Sequence, residues 1–165
     1  MECHGEIHIM PIKTFRGLIA DEKQDTIVLH TNNGATGYRI VRLDIMTNVP
    51  HTAGTDTEHI VMVWKVPRST AQLTDTTTTQ PDFSNQELLG AAIALNDVTG
   101  SGHGIFEDVI FDNEIFNQDI YVTHRDEGGS TVACNYYIEL EQIKLDLNEN
   151  TVATLKDIRN TTNVN

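Results

Sequence analysis

The stretch of sequence that decides the fold covers residues 115–146 and reads IFNQDIYVTHRDEGGSTVACNYYIELEQIKLD. It contains two runs rich in β-branched and aromatic residues, 120–124 and 132–146, on either side of the polar segment RDEGGST. Such residues favour β-strands, and Gly128-Gly129 supplies the positive φ that a tight chain reversal needs. The stretch therefore predicts two antiparallel strands that pair as a hairpin.

The second of these runs alternates between apolar and polar residues, which indicates a strand with one face in the core. Tyr136, Ile138 and Leu140 share one face. After this point the apolar residues continue in the opposite register. We expect a β-bulge near Glu141-Gln142 to keep them on the core face.

Similar β-type runs recur along most of the chain, separated by turn signals such as Asn33-Gly34. The run 58–66 is apolar at successive positions, which indicates a central strand covered on both faces. In the run 37–46 the apolar pattern changes phase once. We expect about eight or nine strands, namely 14–20, 26–30, 37–46, 58–66, 105–111, 116–124, 132–146 and 152–158.

One segment departs from the β pattern and predicts a helix. Residues 85–95, NQELLGAAIAL, place Leu88, Ala92 and Leu95 at helical spacing after a polar N-cap residue, Asp82 or Ser84. The threonine-rich segment before it, 68–82, predicts a long surface loop or an irregular strand.

Together these patterns predict an all-β fold, a jelly-roll-like two-sheet β-sandwich with one short inserted helix at about residues 85–95. The alternative is another β-sandwich or a barrel. Residues 1–9 are predicted to be an N-terminal arm or extension, 10–159 the sandwich domain, and 160–165 a polar C-terminal tail.

Composition and charge exclude several kinds of partner. The 165 residues carry a formal net charge of -13, which repels phosphate, so direct binding of nucleic acid is not expected. No apolar run approaches the ~20 residues of a membrane-spanning helix, and no signal peptide is recognisable at the start. The two cysteines, Cys3 and Cys134, are expected to be reduced.

The sequence contains no motif for catalysis or for a cofactor, and no catalytic, cofactor or metal residue is predicted. GxSxG, HExxH, CxxC and the phosphate loop GxxxxGK[ST] are all absent. The glycine-rich segment 100–104 lacks the lysine of a phosphate loop and predicts a mobile loop. Asp146, Asn148 and Asn150 match the first half of a calcium loop, but Thr151 replaces its glycine and Asp157 its final glutamate, which favours a polar turn.

Several polar residues are of types that can bind a metal ion or act in catalysis. His4 and His8 are spaced for a metal ion only on a helix, and their β-type neighbours argue against one. An acidic cluster around Phe111 suits a glycosidase or a cation site in principle. A solvated surface is the preferred interpretation, and the cluster consists of Glu107, Asp108, Asp112, Glu114 and Asp119.

Three residues lie inside predicted strands. His59 and His124 have no recognisable triad partners, and the segment 124–126 is expected to shape the turn that follows it. Trp64 is flanked by apolar residues, which predicts core packing rather than a sugar-stacking platform.

Three segments resemble a group of small, presumed virion proteins of marine tailed bacteriophages: KTFRGLIAD, TNNGATGYRIVRLDIM and VIFDNEIFNQDIYVTHRDEGGSTVACNYYIELEQIKLDLNENTVATLKDIRN. The resemblance covers residues 10–161 and consists of β-strand blocks, so it carries over no functional residue. It implies a viral structural protein located in the virion, a capsid shell, decoration or cement subunit. Such a subunit acts by self-assembly with copies of itself and other capsid proteins.

Two alternatives belong to other classes. One is a carbohydrate- or receptor-binding β-sandwich module of a phage tail fibre or spike, for which a glycan is the partner. The other is a glycan hydrolase that uses the acidic cluster.

Overall fold

The structure is a computed structural model that describes residues 11–49, 56–96, 104–111, 113–146, 148, 149, 151, 152 and 154. Within them the chain forms eight strands, one short helix and further helical residues from 148 onward. The predicted arm (1–9) and tail (160–165) lie outside the described residues. The elements are β1 (Ile12–Ile19), β2 (Lys23–Ile27), β3 (Thr36–Thr47), β4 (Thr57–Trp64), α1 (Thr70–Thr74), β5 (Leu88–Asn96), β6 (Ile105–Ile110), β7 (Ile120–Asp126) and β8 (Cys134–Lys144).

The strands form two antiparallel sheets packed as a sandwich, in an order that resembles a jelly roll. The smaller sheet has the order β1-β8-β3 and the larger one β2-β7-β4-β5-β6. Strands β1 and β8, β2 and β7, and β4 and β5 pair as they do when one long hairpin ribbon is wrapped into two sheets. β6 departs from that order, because it forms a hydrogen-bonded pair with β5 and not with β3. The all-β, jelly-roll-like sandwich is therefore confirmed.

The core lies between the two sheets and uses the face of β8 that the sequence predicts. Tyr136 is buried, and Ile138 and Leu140 are fully buried. They pack against side chains from both sheets that are at most 1% exposed, among them Ile40, Leu43, Val61 and Val122.

The β-bulge lies on β3, not on β8. Leu140 pairs with Ile40 and Glu139 pairs with Arg42, so Val41 is the extra residue. The bulge keeps the apolar residues of β3 on the core face and explains the phase change in run 37–46. The predicted bulge near Glu141-Gln142 is wrong, because β8 runs on regularly after Leu140 and the apolar residues there no longer face the centre of the core.

The predicted hairpin of 120–124 with 132–146 is also wrong. β7 lies in the larger sheet and β8 in the smaller one, so the turn between them crosses the sandwich. The Asp126 carboxylate holds this turn by accepting the backbone N–H groups of Glu58, Gly128 and Val132 at 3.0, 3.1 and 3.0 Å. Gly129 has a φ of 77°, as a reversal needs. Segment 124–126 thus shapes the turn, but turn residues do not reveal which sheet the next strand joins.

The helix predicted at 85–95 is a strand, β5. It lies between β4 and β6 and is buried on both faces along most of its length, so its apolar residues are continuous rather than alternating. Such a run cannot be distinguished from a buried helix by periodicity alone. A short helix, α1, lies instead in the threonine-rich segment 68–82, where Ser69 and Gln72 form a capping box.

The run 58–66 is confirmed as a central strand. β4 lies between β7 and β5 and is buried on both sides. Its inner residues Val61 and Val63 belong to the core between the sheets, whereas Met62 and Trp64 belong to a second apolar cluster on the outer face of the larger sheet. The guanidinium of Arg68, in the segment that follows β4, stacks 3.9 Å from the centre of the Trp64 ring.

Replacing Ile138 by Asp is expected to prevent folding. The Ile138 side chain is fully buried, so the substitution places an unpaired charge in the core and lowers the free energy of unfolding by roughly 4 kcal/mol or more. Circular dichroism and urea titration of Ile138→Asp measure this. Lys144→Asp, on an exposed position of the same strand, is the control and is expected to stay folded. A folded Ile138→Asp protein contradicts the core assignment.

Candidate functional site

Two histidines and a cysteine meet inside the sandwich. His59 lies on β4, His124 on β7 and Cys134 at the start of β8. His59 Nδ1 and His124 Nε2 are 2.9 Å apart, and one nitrogen of each ring and the Cys134 sulfur all lie within 4.8 Å of one another. In the described part of the chain, this is the only group of three or more His, Cys, Asp or Glu side chains placed to hold a metal ion.

Strand register brings the three side chains together. His59 is opposite Asp126, and Val61 is opposite His124, so both histidines point from the larger sheet into the space between the sheets. Cys134 is two residues before Tyr136 on the inward face of β8 and approaches from the smaller sheet. The cluster therefore bridges the two sheets.

The histidine rings are not fully hydrogen-bonded. They share one hydrogen bond with each other, but His59 Nε2 and His124 Nδ1 are buried without a partner. Whichever ring donates, one N–H and one lone pair stay unsatisfied, and each such buried group costs about 1–3 kcal/mol. The Cys134 thiol donates to two backbone carbonyls, those of Met46 and Asn135, each at 3.5 Å.

Burial keeps all three groups uncharged at neutral pH. It lowers the pKa of both histidines, and repulsion between the rings lowers the pKa of His59 further. The carboxylates of Asp126 and Asp21 act in the opposite direction but do not reverse either shift. Burial also raises the pKa of the Cys134 thiol to about 12. The protonated thiol is a poor nucleophile, whereas neutral imidazoles and a thiol that can lose its proton suit a metal ion.

The sequence alone does not show that these residues form one site. His59 and His124 were predicted to lie in strands, which is confirmed, but the register between β4 and β7 cannot be read from the two runs separately. The sequence does contain one indication of the site. In each of the two strands, a histidine is two residues from an apolar residue of the core, so it lies on the same inward face. Cys134 is a free thiol, as expected.

The second candidate site is the outer edge of the larger sheet, at β6. In the described residues no strand pairs with the free side of β6. Ile105, Phe106 and Val109 are 48%, 63% and 41% exposed, although they lie in a strand. An exposed apolar edge strand offers unpaired backbone groups and apolar side chains to another chain.

The structure does not gather the predicted acidic cluster into a site. Glu107 and Asp108 are exposed on β6 and point to opposite faces. Glu114 accepts a hydrogen bond from the Lys65 ammonium at 2.8 Å, and Asp119 accepts the Leu29 N–H at 2.9 Å. Asp112 lies outside the described residues. The four described carboxylates are therefore arranged for separate structural or solvent contacts.

The calcium-like segment begins a helical turn. Asp146 accepts the N–H of Glu149 at 2.8 Å, and the Glu149 carboxylate accepts the N–H of Asp146 at 3.0 Å. This reciprocal pattern is a capping box. Residues 148, 149, 151, 152 and 154 are helical. The polar turn predicted for this segment and the start of the predicted strand 152–158 are therefore wrong.

Trp64 packs in an apolar cluster, as predicted. Its ring is 2% exposed, and its Nε1 donates to the Thr123 hydroxyl at 2.9 Å. A different aromatic pair is accessible, since Phe83 is about half exposed and meets Phe111 edge-on at 5.5 Å between centroids. The two rings line a shallow surface depression with Asn85, Gln86 and Glu114 among its polar walls.

Some predicted features lie outside the described residues. These are His4 and His8, the cysteine Cys3, and the glycine-rich segment except Gly104.

Comparison with protein-family models finds no match, and comparison with curated proteins finds no similar protein. Among the described residues, no helix has the length and apolar character needed to cross a membrane.

The buried histidine pair is expected to make stability depend on pH below neutrality. Because the folded pKa of each histidine is lowered, its stabilising contribution is complete above the unfolded pKa of ~6.5 and is lost as pH falls toward the folded pKa. The loss reaches up to ~1.4 kcal/mol per pH unit for each histidine. Urea titrations between pH 7.5 and 5.5 measure the slope.

Two variants separate this effect from other titrating groups. His59→Gln should flatten the slope, whereas His30→Gln should leave it unchanged, because His30 is exposed. An equal slope in His59→Gln and the parent chain contradicts the assignment.

Proposed function

We propose that this chain is a viral structural protein, a capsid shell, decoration or cement subunit that acts by self-assembly. The observation that carries the proposal is the free apolar edge of the larger sheet at β6. Its role is to bind the edge of a neighbouring copy or of another capsid protein, by adding strand to strand.

Monomeric β-proteins protect their edges with charges, prolines, bulges or covering loops. β6 carries two charged residues, Glu107 and Asp108, but three of its six residues are exposed large apolar side chains. Its free backbone groups can pair with an added strand, and these side chains supply the apolar area that stabilises the contact. The edge is therefore suited to a permanent partner.

The inward face of β6 is covered only in part. β3 of the smaller sheet contacts both β5 and β6, and Ile110 at the end of β6 packs against the core. Phe106 pairs with Ala94 and is in phase with Ala92, which packs in the core, so Phe106 lies on the inward face and is nevertheless 63% exposed. On the described edge of β3, β-type bonding is confined to an isolated bridge between Tyr38 and Phe116.

Fold and composition agree with this role but do not establish it. Jelly rolls build viral capsids and also lectins, so the fold alone does not choose a function. The resemblance to presumed phage virion proteins favours the viral role. The net charge of -13 keeps such a subunit soluble at high concentration before assembly.

Phe106→Lys is expected to weaken self-association. It places a charge in the proposed contact and should raise the dissociation constant of the oligomer at least tenfold in sedimentation equilibrium, about 1.4 kcal/mol. Val28→Lys is the matched control, because Val28 is 65% exposed, lies away from β6 and receives the same charge. A wild-type chain that is monomeric at high concentration contradicts the proposed assembly surface. An equal loss of self-association in Phe106→Lys and Val28→Lys contradicts it as well.

The viral assignment has its own test. Quantitative mass spectrometry of purified particles of the encoding virus should find the chain at tens of copies or more per particle. Its absence from the particles contradicts the virion role, even if the chain forms oligomers in solution.

A glycan-binding module of a tail fibre or spike is the second candidate, favoured by the depression at Phe83 and Phe111. An exposed aromatic ring beside amide and carboxylate groups is a common platform for sugars. A glycan array and calorimetry should then show binding that Phe83→Ala abolishes and Phe106→Ala leaves unchanged. No binding across the array removes this candidate.

A further inference from the structure

His59, His124 and Cys134 form a donor set that no part of the assembly role uses. We propose that the chain binds a zinc ion through one ring nitrogen of His59, one ring nitrogen of His124 and the sulfur of Cys134. The ion joins the two sheets from inside the sandwich and serves a structural role. This inference is independent of the proposed function.

The distances are close to those of a zinc site. Zinc binds nitrogen at about 2.0–2.1 Å and sulfur at about 2.3 Å, so two nitrogens on one tetrahedral ion lie about 3.3 Å apart. The facing nitrogens of His59 and His124 are 2.9 Å apart, and all three donor atoms lie within 4.8 Å of one another. Side-chain movements of roughly 1 Å are enough to place them around one ion.

The unpartnered nitrogens are an independent observation that points to a ligand. His59 is fully buried and His124 is 2% exposed, yet each has a ring nitrogen without a hydrogen-bond partner. A zinc ion between the facing nitrogens uses the lone pair of both rings there, so neither ring keeps an unused lone pair, and each carries its N–H on the other nitrogen.

The chemistry of the donors selects the class of ion. Two imidazoles and a thiolate suit zinc, whereas calcium and magnesium require oxygen ligands. The Met46 carbonyl, 3.5 Å from the Cys134 sulfur, is an oxygen donor available as a fourth ligand. Asp126, whose carboxylate acts electrostatically on both histidines, balances the remaining positive charge of a zinc–thiolate pair.

Binding releases the Cys134 thiol proton to solvent as the sulfur–zinc bond forms. Both imidazoles bind as neutral ligands through a lone pair, and no electron is transferred. All three residues are buried, so the site has the closed form of a structural zinc site and loads as the chain folds. The ion then links β4 and β7 of the larger sheet to β8 of the smaller one.

The test uses the full chain with Cys3→Ser, His4→Gln and His8→Gln, which removes other zinc donors near the N-terminus and leaves Cys134 as the only thiol. The protein is unfolded with reductant and chelator, freed of chelator, and refolded with zinc, cobalt, calcium or no added metal. Gel filtration removes free ions before measurement.

We expect about one zinc per chain by elemental mass spectrometry. We also expect a higher urea midpoint than for the metal-free chain, and no change with calcium. The cobalt-loaded chain should show thiolate-to-cobalt charge-transfer absorption, which here can come only from Cys134. Failure to retain zinc, or a cobalt spectrum without that absorption, overturns the proposal.

Single substitutions assign the ligands. Cys134→Ser and His124→Gln should each lower zinc affinity by about tenfold or more, whereas His30→Gln, at an exposed position, should retain it. If Cys134→Ser retains as much zinc as its parent chain, the proposal is overturned. If Cys134→Ser does not fold, the cobalt spectrum of the parent still decides, because that chain has no other thiol.

Discussion

The burial of β4 on both of its faces is the constraint on which the rest of this structure depends. A strand that is apolar on both sides must be covered twice, and two different parts of the chain provide the covers. The smaller sheet packs on the inner residues Val61 and Val63, and Arg68 stacks on Trp64 at the outer side. β3 of the smaller sheet contacts β5 and β6 as well as β4, but part of the inward face of β6 stays exposed at Phe106.

Near the turn between β7 and β8, buried polar side chains differ in how many hydrogen bonds they form. The Asp126 carboxylate accepts backbone N–H groups from both sides of the turn between β7 and β8 and so fixes the point where the chain changes sheets. The neighbouring histidines have only each other. Apolar residues at both positions would avoid the unsatisfied nitrogens. Two buried histidines beside a thiol are therefore better explained by a ligand than by packing.

The sequence was informative about strands and much less so about their partners. Alternation correctly assigned Ile138 and Leu140 to the core, because a strand with one buried face has apolar and polar residues at alternate positions. Periodicity failed for β5, since a strand covered on both faces has no alternation to detect. The hairpin of β7 and β8 failed for another reason: Gly129 signals a reversal, but pairing depends on which sheet has a free edge. That information is distributed over the whole chain.

The candidate site was beyond sequence reasoning for the same reason. His59, His124 and Cys134 are separated by long stretches of sequence, and they meet only through the register of β4 with β7 and the packing of the two sheets. The acidic cluster shows the converse. Its members are close in sequence, yet Glu114 and Asp119 bind different partners. In a β-protein, polar residues that are close in sequence therefore need not form a site. A polar residue at a position that alternation places on the inward face is a better candidate.

The buried cluster and the exposed edge share one row of the larger sheet. His59 pairs with Ala94, and Ala94 pairs with Phe106, so these side chains lie side by side on the inward face of β4, β5 and β6. Two strand spacings, roughly 10 Å, separate the histidine from the edge residue. An ion that fixes His59 against the smaller sheet also restrains the backbone position of Phe106 through two ladders of hydrogen bonds. A subunit that assembles through its edge needs that edge to be rigid before contact, because ordering it on binding would subtract from the affinity. The proposed zinc site and the proposed assembly surface, although they consist of different residues, therefore involve the same part of the sheet.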